Sequence, residues 1–397
     1  MVMSSIIFYL IFGVTLYFIA DNARKADLTG DRKNTELSLL VLMLLFSLIC
    51  GLRYRVGVDW ATYYGMYQDV LNGSPLTNSE LLEKEPGFLG ITLLMGKLHI
   101  PGFIYMGLWA FLEILFLLLA LKGRYSLMPY ACLLLILGPF FLLFMNGMRQ
   151  VVAACAMMYA TKCLVDKKDW KKYLIILLLS TLMHKSVLIM LPFLLLVFYN
   201  RLPNKYVCLG LLAAAVVAGH MPFVKNLLAM GETALSLLGY EDYAGKIEYY
   251  AEAGGAISNY GPRRIVQLLS SAAVILFSDK IERRNPGDRF FKVSYLFLLV
   301  YATAGEILIS SEILFTRPFL YFMPYALVCQ AYLLTYLERP EGHVTIGKWQ
   351  FRFPQSALIS AYVIALLVCC SYTVIANLAE GGLPGETVLF KFLFLHQ

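Results

Sequence analysis

Residues 173–199 read YLIILLLSTLMHKSVLIMLPFLLLVFY. A run this apolar belongs in a bilayer, where a straight spanning helix takes about 20 residues. The stretch is too long for one straight crossing, and His184-Lys185 sits in its middle. The flanking turns decide its form. Both 166–172 (Lys167, Lys168, Lys171, Lys172) and 200–206 (Arg201, Lys205) are basic, and basic turns stay on the cytoplasmic side. With 166–172 and 279–292 inside, the stretch works best as a hairpin of two short helices with its tip near His184, and 200–206 then falls inside as well.

Composition extends that reading to the whole chain. Of 397 residues, 59% are hydrophobic and 15% charged, with a mean hydropathy of +0.69. Soluble domains carry about a quarter charged residues, so this is an integral membrane protein. Disorder, a coiled coil and a classical cytosolic enzyme are excluded. The net charge of +7 sits between apolar runs, where it sets orientation rather than binding nucleic acid. The eight cysteines lie in or beside apolar segments without CxxC spacing, as small core residues do. Residues 1–20 lack a basic n-region and an A-x-A site, so they read as a retained first span.

Further spans are expected at about 3–20, 37–52, 102–121, 126–145, 147–165, 207–220, 264–278, 293–310, 315–336 and 356–377. Residues 87–98 are too short to cross comfortably and should only dip into the membrane. The basic turns 21–36 and 279–292 join 166–172 inside. The sum is an all-α, polytopic chain with about twelve crossings, some helices short, broken or re-entrant, and both termini outside. It forms one transmembrane domain, 1–397, with outer loops at 53–86 and 221–263. About 20 of the 33 Lys and Arg then sit where topology favours them.

The informative basic residues are the rest. Arg53, Arg55, Arg149, Arg263, Arg264 and Arg317 fall on the outer side, most at the very end of an apolar run. A guanidinium there is costly unless paired or facing a polar cavity, and its planar fork suits phosphate. Snorkelling to lipid headgroups is the plain alternative for any single one. The densest polar segment, GLRYRVGVDWATYYGMY (51–67), adds Asp59 and the aromatics Tyr54, Trp60, Tyr63, Tyr64 and Tyr67. Aromatic faces with a carboxylate suit carbohydrate, although an interfacial aromatic belt would also supply tyrosines.

Other candidates lie near apolar ends. Glu85 opens the dipping segment, as a helix N-terminal charge or a base. Arg149, in Asn146-Gly147-Met148-Arg149-Gln150, sits near a helix N-terminus, where the dipole disfavours a cation, so its placement calls for an anion. His184 is a core histidine or a base for an acceptor hydroxyl. Glu306, Glu312 and Arg317 flank an outer turn, and Glu113 should pair with another span. The loop 221–263 carries five tyrosines, Tyr240, Tyr243, Tyr249, Tyr250 and Tyr260, and fits a lid over a groove or a plain solvent-exposed loop. No Walker A, GxGxxG, HExxH, DxD or GxSxG motif occurs in a fitting context. No cofactor is expected, and the lack of a carboxylate cluster argues against a divalent metal.

The order and spacing of GLRYRVGVDWATYY (51–64), EPGF (85–88), MRQVVAACAM (148–157), HKSVLIMLP (184–192) and RPFLYF (317–322) resemble the EpsG family. These are Wzy-type exopolysaccharide or O-antigen repeat-unit polymerases, and the resemblance runs from about 50 to 325. It implies a GT-C-like fold, related to O-antigen ligases, in the bacterial inner membrane. It implies block polymerisation of sugar repeat units on undecaprenyl pyrophosphate at the outer face, beside a flippase and a chain-length regulator of the same pathway. The matching positions are Arg53, Arg55, Asp59 and Tyr63, then Glu85, Arg149 and Gln150, His184 and Ser186, and Arg317. On this view His184, Asp59 or Glu85 is the base. Arg149 and Arg317, with Arg53 or Arg55, clamp the pyrophosphate, and Arg263 and Arg264 contribute to substrate binding. A flippase for the same lipid-linked sugars, a membrane acyltransferase and a non-enzymatic assembly subunit are the rival readings.

Overall fold

The computed structural model describes residues 2–74, 85–221, 261–308, 317–338, 344–346, 349–351, 355–379 and 389–393. The chain is a polytopic, almost wholly helical membrane protein. Five helices among the described residues are long and apolar enough to cross a bilayer: Met3–Leu28, Arg32–Gly51, Gly102–Leu121, Arg289–Ile307 and Arg317–Glu338. Shorter apolar helices cover Tyr125–Leu137, Lys185–Phe198, Lys205–Gly219 and Ala357–Tyr372. One small antiparallel hairpin pairs β1 (Val344–Ile346) with β2 (Trp349–Phe351). Most of the tyrosine-rich loop 221–263 lies outside the described residues.

The first sheath is α1 (Val2–Leu28), α2 (Arg32–Gly51) and α5 (Gly102–Leu121). Small residues let α2 and α5 touch: a Cβ on Gly51 would sit 2.3 Å from the Phe103 carbonyl oxygen, and one on Gly107 would sit 3.0 Å from that of Ser47. Backbone approach at small residues is how helices associate when no hydrophobic force separates protein from lipid. The centre holds α8 (Met148–Lys167), packed on α5 and on α9 (Trp170–Met183). On its other side lie α12 (Pro262–Arg284), α13 (Arg289–Ile307) and α14 (Met323–Glu338), with α11 (Lys205–Gly219) and α15 (Gln355–Ala379) around them.

The decisive stretch breaks where its reading placed the break. After α9, His184 is extended (φ −158°, ψ 111°), a 3₁₀ turn covers Lys185–Ile189, and α10 runs Met190–Phe198. Trp170 at the start stacks on Phe198 at the end, ring centroids 5.5 Å apart. The two arms therefore return to one level, with His184 at the far tip. Each arm is short: 14 residues of α9 rise about 21 Å, less than a bilayer core.

One expected span is corrected. Residues 126–145 do not form one helix: α6 (Met128–Leu137) stops at Gly138-Pro139, and α7 (Phe141–Asn146) is a separate piece. A Cβ on Gly138 would meet the Leu134 carbonyl oxygen at 2.4 Å, and proline lacks the amide a continuing helix needs. A second expectation fails at Glu113. It is fully buried in α5, and among the described residues neither carboxylate oxygen has a hydrogen-bond or ion-pair partner on another span.

Charges sort by end. At one end Arg24 bonds Glu338 at 3.0 Å, Arg124 bridges Asp166 and Asp288 at 2.9 and 2.7 Å, and Lys205 holds Asp279 at 2.7 Å. These are the turns read as cytoplasmic. At the other end the segment 389–393 lies on the exit of α2: Tyr54 N–H donates to the Lys391 carbonyl at 2.8 Å, and Phe390 stacks on Phe8 at 4.0 Å. The beginning of the chain, this segment near its end and the first expected outer loop thus share one end. The helix α8 carries Arg149 at that end and Asp166 at the other, about 25 Å apart along its axis.

Candidate active site

At the end opposite the basic turns, several helices are interrupted, and the interruptions meet. The segment 52–59 leads into α3 (Trp60–Leu71), Glu85 precedes α4 (Pro86–Lys97), and Gly147 separates α7 from α8. His184 marks the hairpin tip, and a 3₁₀ turn over Arg317–Phe322 begins the run into α14. Each break is short and each brings a polar side chain to one place.

Arg149 is the hub. Its Nη1 forms an ion pair with Glu85, its Nε donates to the Tyr63 hydroxyl at 3.4 Å, and its guanidinium lies over the Phe88 and Tyr63 rings at 5.1 and 5.5 Å. The sequence argued that a cation in the first turn of α8 needs an anion, and Glu85 is the one present. The other Glu85 oxygen lies 3.7 Å from His184 Nε2. His184 Nδ1 meets the Ser186 hydroxyl at 2.7 Å and the Tyr321 hydroxyl at 2.9 Å, and those two hydroxyls are 3.0 Å apart. The imidazole is thus pinned at Nδ1, leaving Nε2 toward the glutamate.

Asp59 precedes α3 without capping it and lies within electrostatic reach of Arg149 and Arg317. Burial pushes its carboxyl above the ordinary aspartate value, and Arg317 and Arg149 partly offset that. Burial likewise pushes Glu85 up against the pull of Arg149 and Lys185. Arg317 is exposed, and its carbonyl accepts a hydrogen bond from Gln150 at 2.6 Å. Gln150 is buried, so it positions Arg317 rather than meeting a ligand.

The candidate set therefore divides. Asp59, Tyr63, Glu85, Arg149, His184, Ser186 and Arg317 come together, with Gln150 behind Arg317. Arg53 does not join them. It is fully buried, donating to the carbonyl of Cys50 at 2.9 Å and of Met145 at 3.4 Å, with Met148 Sδ at 3.2 Å. Arg55 is exposed, at φ 53°, beside the Tyr54 ring at 5.5 Å. Arg263 donates to the Pro139 carbonyl at 2.6 Å, and Arg264 pairs with Glu306 at 3.0 Å. These contacts tie α12 to the α6 break and to α13. Glu312 lies outside the described residues.

The aromatic platform expected in 51–67 is mostly core. Trp60, Tyr63 and Tyr67 are buried, spaced to share one face of α3. Tyr67 stacks on Tyr105 at 4.0 Å. Half-exposed Tyr54 and Tyr64 remain. The sequence assigned no role to Tyr321 or Phe88. A signal for Tyr321 existed in its place one turn after Arg317 in RPFLYF.

Two glycines make the junction close. Gly57 (φ +93°) leaves 2.7 Å between a would-be Cβ and Asn146 Oδ1, which accepts from Val58 N–H at 2.6 Å. Gly87 crosses the hairpin tip, where a Cβ would stand 3.0 Å from both Leu182 Cβ and the Leu182 carbonyl oxygen. Gly87→Ala should push Glu85 away from His184 at a cost of about 1–3 kcal/mol. We expect a modest loss of abundance and a lower melting temperature in detergent, read by size-exclusion chromatography of a fluorescent fusion.

A model of the EpsG family matches residues 36–377. No curated protein and no solved structure gives a significant match. The matched span includes every interruption described above, and the chain belongs to the EpsG family.

Proposed function

We propose that this protein is a polysaccharide repeat-unit polymerase. It would work at the outer face of the bacterial inner membrane, with about twelve crossings and a GT-C-like fold. The family is associated with polysaccharide polymerisation. The observation that carries the reading is the junction of Arg149, Glu85 and His184, with Asp59 and Arg317 facing it.

In this mechanism the growing glycan on undecaprenyl pyrophosphate is the donor. A hydroxyl of a second lipid-linked repeat unit is the acceptor. Arg149 and Arg317 hold the pyrophosphate and take up its charge as it leaves. The acceptor oxygen bonds to the anomeric carbon as the bond from that carbon to the pyrophosphate oxygen breaks, with inversion. His184 Nε2 is the best placed of the three candidate bases by geometry, because Ser186 and Tyr321 fix Nδ1 and Glu85 lies 3.7 Å from Nε2. Burial, Arg149 and Arg317 push its imidazole down to about 3, so it takes the proton only once the bound pyrophosphate offsets the two arginines. Glu85 is already engaged by Arg149. Asp59 faces the arginines and fits a sugar hydroxyl. A flippase and a chain-length regulator are the natural partners.

Purified protein in liposomes, given only the lipid-linked repeat unit, tests this. The expected result is a ladder of polymer without nucleotide sugar and in the presence of a chelator. Transport of the substrate across the bilayer with no new glycosidic bond would overturn it in favour of a flippase. Dependence on a nucleotide sugar or on a divalent metal would overturn the mechanism.

A further inference from the structure

At the end opposite the candidate site, a cavity of about 660 Å³ opens between the α1–α2 turn and the last turns of α5. That volume lies within the roughly 300–1,000 Å³ common for small-molecule sites. Its wall is apolar, formed by Leu39 and Met43 of α2 and Leu115, Leu118 and Leu119 of α5. From Arg32 at the rim to Met43 at the depth is about 16 Å along α2, close to half the roughly 30 Å hydrocarbon core. The cavity therefore has the depth of one acyl chain of one leaflet.

The rim carries both signs of charge. Arg32 and Glu36 satisfy each other at 2.8 Å. Asp27, on the turn side, and Lys122, at the end of α5, hold no ion pair among the described residues. An occupant's headgroup thus meets a carboxylate on one side and an ammonium on the other. A pure anion, such as a polyprenyl phosphate, would gain from Lys122 but be opposed by Asp27. A headgroup with a phosphate and a primary ammonium satisfies both, since each charge-assisted hydrogen bond then has its partner.

We propose that this cavity binds a zwitterionic aminophospholipid, phosphate to Lys122 and ammonium to Asp27, with one acyl chain against Leu118 and Met43. The site is separate from the proposed reaction and stands whether or not the chain is a polymerase. It would hold α2 against α5 from the basic end, while Gly51 and Gly107 hold them at the other.

Native mass spectrometry of the full chain in mild detergent tests the assignment, with phosphatidylethanolamine, phosphatidylglycerol, phosphatidylcholine and undecaprenyl phosphate added in turn. The expected result is one retained phosphatidylethanolamine, preferred at least fivefold over phosphatidylglycerol. That preference should vanish in Asp27→Asn/Lys122→Gln, two exposed positions whose change should not disturb folding. Retention should also fall in Leu119→Trp, a half-buried lining position whose larger side chain fills the chamber, at an unchanged melting temperature. Equal retention of the lipids, preference for either anionic lipid, or a preference that survives both variants would overturn the proposal.

Discussion

An Arg149→Ala protein should reach the membrane at its normal level and make no long polymer. The expected fall in chain-extension rate is on the order of 10²–10³, the usual cost of deleting one preorganised group that stabilises developing negative charge. The size follows from placement. Arg149 is held by Glu85, by the Tyr63 hydroxyl and by two aromatic faces, so its orientation is settled before substrate arrives. Arg149→Lys keeps the charge but not the fork, and should recover only a minor part. Removing the arginine also leaves Glu85 unpaired in a partly buried position, which could by itself disturb the junction. The Arg149→Ala/Glu85→Gln double variant separates the two effects, because the neutral amide relieves the stranded charge. It should remain inactive. Polymer laddering beside an immunoblot reads the result, and long polymer from the single variant at normal abundance would dismiss the pyrophosphate role.

His184→Gln asks about the proton rather than the charge. The amide can keep part of the contact with Ser186 and Tyr321 but cannot take a proton at neutral pH. That variant should resemble Arg149→Ala in product and differ from it in retaining lipid-linked substrate.

Residues 173–199 show what was legible and why. The broken hairpin followed from two facts visible in sequence, the basic turns on both sides and the ionisable pair between. The Glu85–Arg149–His184 junction was legible only as separate candidates. Each sits beside a local signal, a helix start or an apolar break, while their meeting depends on how α4 and the hairpin tip cross at Gly87. The break at Gly138-Pro139 was overlooked because the apolar run continues through it without a change in composition. The aromatics of 51–67 misled for a different reason. A tyrosine or tryptophan on the buried face of a short amphipathic helix looks the same in sequence as one on a sugar-binding surface. Only packing against Tyr105, Phe88 and Trp109 tells them apart.

Arg53 and Arg149 look alike in sequence, two arginines at the ends of apolar runs, and their alanine variants should fail differently. Arg53 is wholly buried, and its guanidinium satisfies the last carbonyls of α2 and α7. Glu113 lies within its electrostatic reach, also wholly buried, with no side-chain hydrogen bond among the described residues. Arg53→Ala would strand two buried carbonyls, those of Cys50 and Met145. Leaving a buried acceptor without its donor costs about 1–3 kcal/mol each, a large fraction of the stability of a typical domain. The protein should therefore lose abundance and melt at a lower temperature in detergent, with polymer falling only as far as the protein does. Arg53→Lys, which can still donate to one of the two carbonyls, should restore part of the abundance. Size-exclusion chromatography of a fluorescent fusion, with polymer normalised to protein, makes the measurement. If Arg53→Ala instead accumulates normally and makes no polymer, then Arg53 acts on substrate, and the packing around Cys50 and Met145 does not explain its burial.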